Sequence, residues 1–99
     1  MTTKNSPLNN FSVRGVAYTQ SINTISDATF VTRVHDDKEM CRVSSDGYVF
    51  DGETHIGRFR MRLDVWVFVG KNNEEYSFNS HDLIYTELRF FQKYLESSK

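Results

Sequence analysis

Hydrophobic and polar residues alternate from Thr54 to Val69, in the run THIGRFRMRLDVWVFV. Successive side chains of a strand point to opposite faces. The alternation therefore assigns His55, Gly57, Phe59, Met61, Leu63, Val65, Val67 and Val69 to one face, expected to be a core wall. Thr54, Ile56, Arg58, Arg60, Arg62, Asp64, Trp66 and Phe68 fall on the other, where an arginine ladder runs into two aromatic rings. A straight strand of this length would span about 50 Å. Few strands are so long, so Gly57 is expected to break, bulge or bend it.

The rest of the chain reads as shorter elements. Residues 1–9 are polar, contain Pro7 and lack periodicity, which predicts a flexible tail. Phe11 to Gln20 alternates like a strand, and residues 21–28 carry turn formers. Thr29 to His35 is rich in β-branched and aromatic residues, and Met40 to Ser44 predicts a short strand. Asp46-Gly47 and Asp51-Gly52 are tight-turn signals on either side of Tyr48-Val49-Phe50. Gly70 to Asn73 turns the chain into Glu74–Phe78. Ile84, Leu88, Phe91 and Leu95 then recur at helical spacing, widened by Leu83 and Tyr94, with Arg89, Lys93 and Glu96 opposite. Asn79 or Ser80 is the expected N-cap, with Asp82 in the first turn.

About six antiparallel strands followed by one helix define an α+β class: a curved antiparallel sheet or small barrel with a C-terminal amphipathic helix, in a single domain over residues 10–99. In element order alone this resembles OB-like and pleckstrin-like barrels capped by a helix. No motif accompanies the resemblance, and it implies no function.

Charge and cysteine content narrow the function classes. The 99 residues carry 12 basic and 13 acidic side chains, a net charge of −1, which weighs against a dedicated duplex-DNA binder. The acidic excess is concentrated in residues 27–53, with a net of −4. Cys41 is the only cysteine and is expected to be a buried, inert thiol in a reducing, cytoplasmic setting. No apolar run is long enough to cross a membrane, and the N-terminus lacks a signal-peptide core.

Candidate chemistry is sparse. His35, His55 and His81 lack metal-ligand spacing, and there is no HExxH, CxxC, GxSxG or phosphate-cradling glycine motif. No cofactor or metal is expected. Glu53 and His55 sit two residues apart, the one acid–base pairing compatible with a small enzyme or ligand carrier using a barrel mouth. The stronger candidate is a binding face made of Arg58, Arg60, Arg62, Trp66 and Phe68. Its ordinary alternative is charge pairing with acidic residues of neighbouring strands. The expected function is a small non-enzymatic interaction module, accessory or inhibitory, that binds a protein partner or self-associates. Single-stranded nucleic-acid binding by the same arginines and rings is the alternative.

Overall fold

Tight turns cut the chain more often than its hydrophobic pattern shows. The computed structural model describes residues 5–97. It contains β1 (Asn5–Val13), β2 (Val16–Asn23), β3 (Thr29–Arg33), β4 (Lys38–Val43), β5 (Tyr48–Asp51), β6 (Thr54–Arg62), β7 (Val65–Gly70), β8 (Glu75–Ser77) and α1 (Leu83–Ser97). The strands form one antiparallel meander in chain order, and β1 does not pair with β8. The fold is α+β with one C-terminal helix, as expected, but the sheet has eight strands rather than about six and is open rather than a closed barrel. Among the described residues no helix is long and apolar enough to cross a membrane.

Two of the extra strand boundaries have clear causes. Asn5–Asn9, expected as tail, form the first part of β1 and pair with β2. Pro7 is tolerated there because β1 is an edge strand, and the register slips between Pro7 and Asn9. Residues 1–4 of the expected tail lie outside the described residues. The long alternating run, in turn, is not one strand. Leu63 (φ 51°) and Asp64 (φ 70°) make a two-residue hairpin turn of the mirror-image type, closed by Arg62 and Val65. Leucine is a poor residue for positive φ, and no Asn-Gly or Asp-Gly pair marks the turn. Leu63 is consequently 93% exposed instead of sitting in a core wall.

This turn re-sorts the faces. Phe59 lies opposite Phe68 and Met61 opposite Trp66, so both aromatic residues of β7 join the core side. Arg58, Arg60 and Arg62 lie opposite Val69, Val67 and Val65 on the outer side. A bulge changes β6 as well. Val49 pairs with Gly57 but Phe50 pairs with His55, which leaves Ile56 as the extra residue and turns His55 outward. The irregularity expected at Gly57 is therefore present. Gly57 has a second role, because a Cβ there would collide with the Phe68 ring and the Val69 carbonyl.

One helix covers the inner face. Phe90 stacks on Phe68 with centroids 4.3 Å apart, and Phe59 meets both rings edge-on at 5.5–5.6 Å. Tyr18, Val31, Cys41, Val43, Val49, Phe91 and Leu95 complete the core. The helix is capped by Asp82, whose carboxylate accepts the Tyr85 N–H at 3.2 Å, rather than by Asn79 or Ser80. Its buried face is rotated from the expected stripe: Thr86, Glu87 and Phe90 are buried, whereas Ile84 and Leu88 are half-buried. Hydrogen bonds make this rotation possible. Thr86 donates to the Asp82 carbonyl at 2.9 Å, and Thr29 donates to Glu87 at 2.7 Å. Gln20, fully buried on β2, accepts from Asn9 and donates to the Ile84 carbonyl.

The packing makes two predictions. Phe59→Ala or Phe91→Ala is expected to cost about 3–5 kcal/mol in urea unfolding. Leu63→Ala, on an exposed turn, is expected to stay within about 0.5 kcal/mol. A Leu63→Ala loss of about 2 kcal/mol or more would contradict the hairpin.

The second concerns Glu87, which is 2% exposed. Burial pushes its carboxyl up to about 7, opposed by the Thr29 hydrogen bond and reinforced by the charge of Asp82. The folded state then binds more protons than the unfolded chain between the ordinary carboxyl value and about 7. Stability is expected to fall as pH rises through that window and to be lowest above it, by on the order of 3 kcal/mol for this group. Glu87→Gln should therefore raise the melting temperature at pH 8 and leave it nearly unchanged at pH 4. Equal effects at both values would contradict the assignment.

Candidate binding face on the outer sheet

The outer face of the sheet is uncovered by the helix, and its composition follows from strand register. Directly opposed residues of an antiparallel pair share a face. Phe30 opposes Arg42, Arg42 opposes Phe50, and Phe50 opposes His55. Tyr48 opposes Arg58 in the adjacent row. Four strands thus present a continuous patch of three half-buried rings among cations.

The cations rest on the rings. The Arg58 guanidinium lies 5.0 Å from the centroid of Tyr48, and that of Arg42 lies 5.4 Å from Phe50. The His55 ring is 5.4 Å from both Tyr48 and Phe50. Each guanidinium contact at such a site contributes about 0.5–1 kcal/mol. The contact also holds a planar donor fork in one orientation. The edge of Arg42 is partly taken by an ion pair with Glu39 at 3.6 Å, whereas Arg58 has no ion-pair partner among the described residues.

The sequence-derived site splits between two faces. Arg58, Arg60 and Arg62 are exposed on the outer side, spaced by about 7 Å as alternate residues of one strand. Arg62 is paired with Glu75 at 2.7 Å, which is the cross-strand charge pairing expected of such a ladder. Arg60 has no ion-pair partner among the described residues. Phe68, at 5% exposure, is core. Trp66 is half-buried against the core, and its backbone N–H donates to the Ser80 carbonyl at 2.8 Å. The structure therefore does not place Trp66 and Phe68 beside the arginines, because the Leu63–Asp64 turn reverses the alternation between them.

Tyr48, Phe50, His55 and Arg42 take the place of those two rings, and Phe30 extends the patch. Part of this was within reach of the sequence: Tyr48 and Phe50 flank Val49 between two tight turns, so they share a face. His55 was out of reach, since only the bulge at Ile56 brings it beside them. Glu53 and His55 are both exposed, and His55 is held against the rings of Tyr48 and Phe50. Among the described residues no three His, Cys, Asp or Glu side chains gather in a metal-binding group. Cys41 is buried in the core, which pushes its thiol up to about 12 and suits the inert role expected of it. Comparison of the chain with family models, curated proteins and solved structures gives no match, so the reading of this face rests on its own geometry.

Proposed function

We propose that this protein is a small non-enzymatic interaction module whose outer sheet face binds an acidic segment of a protein partner. The observation that carries the reading is the set of arginines held on aromatic rings across β4, β5 and β6. Guanidinium forks pair with carboxylates in bidentate fashion, and rings beside them supply apolar area that orders water out of the contact. Orienting the arginines before binding lowers the side-chain entropy lost on association. A sheet face that is locally basic on a chain of net charge −1 steers an acidic partner to one place.

A second reading has its own support. Exposed rings beside arginines on a strand face also suit single-stranded nucleic acid, with bases stacked on the rings. The two readings separate by experiment. Affinity enrichment from cells, with and without nuclease, is followed by Arg58→Glu with Arg60→Glu. Arg62 is left in place because Glu75 holds it.

The double reversal is expected to abolish the nuclease-resistant protein interaction. Both sites are exposed, so the melting temperature should move by less than about 8 °C, equivalent to roughly 1 kcal/mol. Unchanged partner capture would remove the outer face from the interaction. Tight binding of a single-stranded oligonucleotide that falls steeply with salt, and that Phe50→Ala weakens by about 1–3 kcal/mol, would favour the second reading.

A further inference from the structure

The two edges of the sheet meet at one place. β1 pairs only with β2 and β8 only with β7, yet Ser12–Arg14 and Glu75–Phe78 border the same cleft, of about 730 Å³. Arg89 and Lys93 of α1 line the same cleft. The sheet stays open, and its two edge strands border one cleft without pairing.

Register shows which backbone groups face this gap. In the hairpin between β1 and β2, Arg14 (φ 53°) and Gly15 (φ 80°) form a two-residue turn, so Val13 and Val16 are a hydrogen-bonded pair. Bonded and non-bonded positions alternate along an antiparallel pair. Ser12 is therefore non-bonded, with its N–H and C=O directed away from β2. On the other side, the Gly70 N–H donates to the Glu74 carbonyl at 2.8 Å, which makes the next bonded pair Phe68 and Tyr76. Glu75 and Ser77 then direct their N–H and C=O away from β7. Ser12, Glu75 and Ser77 all border the cleft.

Exposed edges are ordinarily blunted by shortness, prolines, bulges or charge. β8 is short, at three residues, but has neither a proline nor a bulge. On β1 the proline and the register slip lie at Pro7–Asn9, at the far end of the strand from the cleft. The stretch that borders it carries neither. The side chains at the cleft favour one sign of charge. Arg14, Arg89 and Lys93 have no ion-pair partner among the described residues. Of the two acids, Glu75 is already paired with Arg62, which leaves Glu96.

We propose that this cleft binds an extended, acidic segment of a partner protein as a ninth strand. The segment pairs its backbone with Glu75 and Ser77 at the edge of β8 and sets its acidic side chains against Arg14, Arg89 and Lys93. Main-chain hydrogen bonds supply affinity in such strand addition, and alternate side chains supply selectivity. The site touches the outer face only through the ion pair of Glu75 with Arg62, uses none of the arginines that rest on rings there, and stands or falls independently of that face.

The test is selection of linear peptides from a random displayed library against the full chain, followed by synthesis of the enriched peptide. Acidic residues alternating with β-branched ones are expected among the selected sequences. Binding should shift the amide resonances of Glu75 and Ser77 and slow their hydrogen exchange. Ser77→Pro removes one outward N–H without removing a bond to β7, and should weaken the peptide at least tenfold. Arg89→Glu with Lys93→Glu should do the same through charge, and provides the decisive variant if the proline disturbs β8. Arg58→Glu with Arg60→Glu should leave the affinity unchanged. Absence of any enriched acidic pattern, or peptide binding that both cleft variants leave intact, would overturn the proposal. So would amide shifts confined to the outer face.

Discussion

The stack of Phe90 on Phe68, with Phe68 lying over Gly57, is the contact on which the arrangement of this protein depends. An eight-stranded sheet has far more inner surface than a helix of 15 residues can cover when the sheet is flat. Curling solves the problem, because it brings strands from both ends of the meander toward the same helix. Gly57 permits the closest approach, since any side chain there would lift the Phe68 ring and with it the helix. The bulge at Ile56 gives β6 the bend that such curvature needs.

The seat of the helix is also polar, and this has a consequence for stability. Gln20, Thr29, Thr86 and Glu87 are buried between the sheet and the first half of α1, and each has a hydrogen-bond partner. Among the described residues no buried side-chain polar atom lacks one. Such groups contribute little net stability, but a misplaced helix would leave them unpaired at a cost of about 1–3 kcal/mol each. They select one rotation of the helix about its axis. The aromatic half of the helix supplies the burial, and the polar half sets the register.

Covering only one face leaves the other open to solvent. The rings of Tyr48 and Phe50 would be poor solvent-facing residues alone, but Arg42, Arg58 and His55 lie on them and shield part of their surface. The same contacts hold the arginines in place. A domain of this size can therefore carry an aromatic patch without a partner and still present oriented donors when one arrives. The unpaired sheet edges form a second, differently built surface, which combines outward backbone groups of β8 with the side chains of Arg14, Arg89 and Lys93.

Much of this was legible in the sequence. Alternation identified β6 as the strand with an arginine face, since period two is a local property of the chain. Helical spacing located α1, and the glycine turns at Gly47 and Gly52 bounded β5. Tertiary structure decided what local patterns cannot encode. Leu63 and Asp64 adopt a positive-φ turn that neither residue announces, and that one turn moved Trp66 and Phe68 from the arginine face to the core. The same alternating letters fit one long strand or two paired ones, but a two-residue turn pairs residues three apart and so inverts which parity faces inward. The polar Thr86 and Glu87 concealed the true buried face of the helix, since their burial depends on partners distant in the chain. Ser12 meets the edge of β8 at one cleft only because the sheet curls around its helix, and curvature is a property of packing rather than of any segment.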